Sequence, residues 1–163
     1  MALDIELEAL HITEGLETAT LPKPQWTHRA HVLAAVTLVR RHGPAEALAR
    51  LRLAIPRYNE ATGVANTDSG GYHDTITVFY VWAVDRLVSA GLSTTAILWH
   101  PLTSFEAASS WYDPATLWSV AARRSFVPSN LARAGEPAPH DFCAAREAED
   151  IQEDDQRREL AVG

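Results

Sequence analysis

Three histidines are the residues in this sequence best suited to joint chemistry. His28 and His31 lie three apart in W-T-H-R-A-H, a spacing that on a helix stacks both imidazoles on one face, one turn apart. Neutral ring nitrogens so placed can point at one ion, as in helical metal-binding pairs. His73 stands in G-G-Y-H-D-T-I-T, at the head of another long apolar segment. A helix N-terminus favours the neutral imidazole that metal ligation needs, but it repels a bare dication, so an anionic partner is required. Asp74 follows His73 directly, Glu17 precedes His28 across a proline-bearing connector, and Glu14 is the reserve. A shell of His28, His31, His73 and Glu17 suits a divalent Zn, Fe, Mn or Ni ion with a position left open for water or substrate. Asp74 or Glu17, when not ligating, are candidate general bases, with Thr75 as a nearby hydroxyl. Trp26, Tyr72 and Arg29 are candidate walls of a substrate pocket. Two other uses of the same residues stay open: an anion pocket between two helix N-termini, and a structural role in which the histidines only cap and bridge.

The elements that must position these residues are helical throughout, and the expected class is all-α: a compact single-domain bundle of about five to seven helices. Residues 3–18 carry Ile5, Leu7, Leu10 and Leu16 among acids, a weakly amphipathic helix. After T-L-P-K-P-Q-W, Thr27 caps a helix that stops at Gly43 before Pro44. Pro44 opens the next helix, with Leu48, Leu51, Ile55 and Tyr58 as its stripe, and Pro56 is expected to kink or shorten it. A glycine-containing polar loop leads to a long apolar helix over roughly 72–90. Shorter helices are expected at about 94–99, about 103–111, and from an Asp113 cap with Pro114 in its first turn. Trp82, Trp99, Trp111 and Trp118 are assigned to core and interface. The helix between the His28 and His73 segments reverses the chain once. The two histidine-bearing helices are therefore parallel and their starts share an end.

Composition sets the remaining bounds. The chain has 163 residues, a formal net charge of −7 and a single cysteine, Cys143, so no internal disulfide framework exists. Residues 1–140 hold 13 acids against 11 Lys and Arg, while residues 141–163 hold eight acids against three Arg. The division is thus a helical domain over 1–140 and an acidic tail over 141–163, helical or disordered. Neither part offers the basic face that nucleic acid requires. No apolar run approaches a membrane span, and the acidic start does not read as an export signal, which makes cytoplasmic residence the expectation. One Lys against thirteen Arg suggests a GC-rich bacterial source.

Residues 14–128 resemble a family of small bacterial proteins of unassigned activity. The likeness is carried by W-T-H-R-A-H, by G-Y-H-D-T-I-T, and by the ending W-Y-D-P-A-T-L-W-S-V-A-A-R-R-S-F-V-P. It implies that Glu17, His28, His31, His73 and Asp74 are positions held in common. Pro56 and the acidic extension depart from it. The expected function is a small metal-dependent enzyme (a lyase, isomerase or hydrolase) acting on a small organic molecule by hydrolysis, elimination or cyclisation, or isomerisation, in the manner of secondary metabolism. The alternatives are a non-catalytic module for an anionic ligand and a structural domain that meets partners through a homodimer face or the acidic tail.

Overall fold

The computed structural model describes residues 2–131 and 133–161, and among these the protein is an all-α bundle without strands. Helix α1 (Ala2–Glu17) buries Ala9, Ile12 and Leu16, with Ile5 packed alongside. Leu7, expected on the inner stripe, is exposed instead, because the spacing 5, 9, 12, 16 selects the other face. Helix α2 (His28–His42) starts where the Thr27 hydroxyl accepts the Ala30 N–H, and ends at Gly43, whose φ of 78° suits only glycine well. Residues 32–39 of α2 are all buried, because this helix packs against α1, α3 and α4 at the centre of the bundle.

Helix α3 (Pro44–Ala61) runs on through Pro56, where a shorter or kinked helix was expected. Its stripe of Leu48, Leu51, Ile55 and Tyr58 is buried as anticipated. Packing of that stripe on both neighbours outweighs the local cost of the proline. Helix α4 (Asp74–Ser89) follows, and the expected topology holds: Trp26 and His31 from the start of α2 line the same cleft as Tyr72 and His73 from the start of α4.

Residues beyond α4 wrap its second face in short, separately capped pieces. These are α5 (Thr94–Leu98), α6 (Pro114–Leu117) and α7 (Val120–Arg124), capped by the side chains of Ser93, Asp113 and Ser119. The helix expected at about 103–111 is replaced by two 3-10 turns, Pro101–Thr103 and Ala107–Ser110. This wrap buries Trp111, Tyr112 and Leu117 against Phe79 and Trp82 of α4, forming a second core layer. Trp82 and Trp111 are core as expected, whereas Trp99 and Trp118 are exposed.

Helix α8 (Phe142–Ala161) carries the acidic tail and lies against α3. No helix among the described residues is long and apolar enough to cross a membrane.

Candidate functional site

His31 occupies the first turn of α2, and local geometry sets its chemical form. Its Nδ1–H donates to the Thr27 carbonyl at 2.7 Å, so Nε2 is the unprotonated nitrogen and carries a lone pair without a hydrogen-bond partner among the described residues. The ring lies on Trp26 with centroids 3.8 Å apart and an angle of 33°, and Trp26 in turn meets Tyr58 edge-on at 5.5 Å. Burial pushes the His31 pKa down to about 4, against the smaller opposing pull of the Thr27 carbonyl and with a slight push from His28. The imidazole is neutral through the physiological range.

Three hollows meet at His31. One of about 410 Å³ opens toward the loop before α4 and is lined by Trp26, Asn59, Tyr72 and Arg123, among others. A second, about 260 Å³, lies under Phe105, Tyr80 and Trp118. A narrow third, about 40 Å³, runs inward between Ala35 of α2 and Val81 of α4. Ile76 also lines all three, so the hollows adjoin around His31 and are taken together as the His31 cleft. Its rim depends on Gly71 (φ 75°), where a Cβ would stand 2.4 Å from the Ala65 carbonyl oxygen. Next to it, the Asn66 side chain accepts from the Tyr72 N–H and the Asn59 amide and donates to the Pro56 carbonyl, closing the loop.

The other expected site residues are engaged with different partners. His73 is the N-cap of α4: its Nδ1 accepts the Ile76 N–H at 3.3 Å and its Nε2–H donates to the Leu117 carbonyl at 2.8 Å, so neither nitrogen is left to bind a metal. Burial lowers its pKa, with the nearby Arg123 charge pushing the same way and the Leu117 carbonyl opposing. His28 gives its Nε2–H to the Thr103 carbonyl at 2.8 Å and stands edge-on to Tyr80 and Phe105.

Glu17 pairs with Arg50 of α3 at 3.0 Å. Asp74 is 4% exposed and holds Arg52 through both carboxylate oxygens while accepting the Tyr72 hydroxyl. It is a structural anion, not a free base. Thr75 is fully buried and bridges the Ser125 carbonyl and the Val127 N–H. Arg29 pairs with Glu8 and borders a separate small hollow beside Trp99. Trp26 and Tyr72 line the hollow that opens toward the loop before α4.

No group of three or more His, Cys, Asp or Glu that could hold a metal ion is assembled among the described residues. The expected shell of His28, His31, His73 and Glu17 therefore does not fit a divalent ion in this arrangement. Treatment with a chelator, followed by dialysis against zinc, is expected to leave the thermal unfolding midpoint unchanged within error. A rise of several degrees with one equivalent of zinc, lost in His73→Ala, would overturn this reading.

Sequence reasoning missed Arg123, Asn59, Phe105 and Trp118 as cleft residues. Arg123 and Trp118 lie in the stretch 111–128, where the short helices give no long stripe to mark cleft-facing side chains. Phe105 carried no signal either, because the irregular wrap has no period to reveal which side chains face the cleft.

No family model matches the chain, and neither a curated protein nor a solved structure does.

Proposed function

We propose that the chain binds a small planar organic acid in the His31 cleft, with recognition and not turnover as its main task. The observation that carries this is the His31 imidazole, held in one neutral tautomer on the face of Trp26 with its Nε2 lone pair unspent. A nitrogen with a pKa of about 4 is a good hydrogen-bond acceptor and a poor proton-abstracting base near neutrality. Ile76, Tyr80, Phe105 and Trp118 supply apolar walls suited to a flat ring.

Arg123 supports an acidic ligand. Its Nη1 donates to the carbonyls of Gly71 and Tyr72, its buried Nε–H has no acceptor, and it has no ion pair among the described residues. A buried donor without an acceptor is costly, and a ligand carboxylate would satisfy it. Metal-dependent hydrolase or lyase chemistry finds no comparable support, since its ligand set is not assembled.

The test is an NMR titration with 4-hydroxybenzoate as probe and benzyl alcohol as the uncharged comparison. The 4-hydroxybenzoate should move the His31 Nε2 and Trp26 indole signals. His31→Phe and Arg123→Met should each weaken binding about tenfold, the scale of one hydrogen bond to a charged or polar group. Because His31 is already neutral, affinity should stay level between pH 6 and 8. Affinity falling as pH rises through 6.5 would mean a charged histidine trapping an anion. No movement of the His31 signal with either probe defeats the proposal.

A further inference from the structure

A second cavity, about 470 Å³, lies on the other side of the 100–111 segment, between that segment, the C-terminal half of α4 and the turn at 133–136. Two guanidinium groups are held on aromatic faces there. Arg86 lies 5.0 Å from the centre of the Trp82 ring and Arg133 lies 5.1 Å from that of Trp111, while the two indoles meet edge-to-face at 5.0 Å. Such stacking fixes the orientation of a guanidinium that would otherwise be mobile.

Both cations share one carboxylate. Glu136 stands 3.4 Å from Arg133 Nε and 4.0 Å from Arg86 Nη1. At that longer distance the Arg86 contact is not a hydrogen bond, and its Nη1 is sealed from solvent with no acceptor among the described residues. The remaining polar lining is donor-rich. His100 accepts the Leu102 N–H through Nδ1, which leaves its Nε2 protonated as a donor, and Ser110 adds a hydroxyl. Glu136 is the only acid among the lining residues, so the hollow keeps one positive charge uncompensated inside a chain of net charge −7.

The geometry points to an oxyanion site, for a phosphate or carboxylate group, in which Glu136 is an internal placeholder. Glu136 belongs to a tight turn, its N–H donating to the Arg133 carbonyl at 3.2 Å with Gly135 at φ 77°. An incoming oxyanion would take its place between the two guanidiniums and reach Arg86 Nη1 at hydrogen-bond distance. This site shares no lining residue with the His31 cleft and does not rest on the function proposed for it.

Inorganic phosphate and acetate, titrated separately at constant ionic strength, provide the test, read on the Trp82 and Trp111 indole N–H and Arg86 Nε–H signals. Phosphate alone, acetate alone, or both moving them would assign the site to phosphates, to carboxylates, or to oxyanions generally. Glu136→Gln should tighten binding about three- to tenfold and Arg133→Met should weaken it by a similar factor. Glu149→Gln, which removes an equal charge from exposed α8, should change nothing. No movement with either anion, or a Glu136→Gln effect matched by Glu149→Gln, would overturn the proposal.

Discussion

Replacing Asp74 with alanine is expected to destabilise the protein by about 2–3 kcal/mol, less than the cost of leaving a buried charge wholly unpaired, because Arg52 keeps Asp141 as a partner. Arg52 on α3 donates to both oxygens of Asp74 at 2.9 and 2.8 Å and to both oxygens of Asp141 at 3.2 and 2.5 Å. Asp141 in turn accepts the N–H groups of Cys143 and Ala144 and so caps α8. One guanidinium therefore ties the middle of α3 to the starts of α4 and α8. Removing Asp74 leaves Arg52 with a single carboxylate and the Tyr72 hydroxyl without its acceptor.

Urea unfolding of Asp74→Ala should show the loss with little change in slope, and hydrogen exchange should quicken first in α8. The triple replacement Arg52→Met, Asp74→Leu and Asp141→Asn, which leaves no charge of the group unpaired and keeps a side-chain cap on α8, should recover much of the stability. A loss below about 1 kcal/mol in Asp74→Ala would mean that the network contributes little beyond a surface pair.

Acidification from pH 6.5 toward 4 is expected to remove about 2–3 kcal/mol through His31 alone, with His73 adding in the same direction. The sign follows from where protons bind. The unfolded chain takes up a proton at each histidine near pH 6.5, whereas folded His31 resists until about pH 4. Stability is thus complete above 6.5 and falls as pH drops through this window. The ring is only half-buried and faces an open hollow, which keeps the figure below the full value of the shift. His31→Phe should flatten the profile between pH 6.5 and 5, a range chosen to stay above the carboxylates Glu8 and Asp113, whose pKa values are lowered by their hydrogen-bond partners, Arg29 for the first and Asn130 then Thr116 for the second. Wild-type stability that stays level or rises on acidification in that range would refute the assigned tautomer and burial.

Much of the architecture was legible because helix signals are local. Thr27 and Asp113 are read as caps from residue type and position, and both accept the N–H three residues on. Gly43 before Pro44 marks a helix junction in the same way. The parallel placement of α2 and α4 follows from counting one reversal through α3. That count led to the expectation that His28, His31 and His73 converge; His31 and His73 line one hollow, while His28 lines a different one with His31.

The chemistry of each histidine was not legible, since it depends on which backbone carbonyl arrives from far along the chain. Thr103 reaches His28 across 75 residues and Leu117 reaches His73 across 44. Both carbonyls come from the irregular wrap, where no period in the sequence predicts which groups are left over. Asp74 was similarly claimed by Arg52 of α3, a residue on no expected stripe. The sequence by itself determined the long helices, the Thr27 and Asp113 caps and the meeting of the α2 and α4 starts at one end of the bundle. Tertiary structure alone decided that His73 and Asp74 would satisfy buried polar groups, because burial obliges every donor and acceptor to find a partner. It left His31 Nε2 and His28 Nδ1 as the imidazole nitrogens of the expected site without a protein hydrogen-bond partner among the described residues.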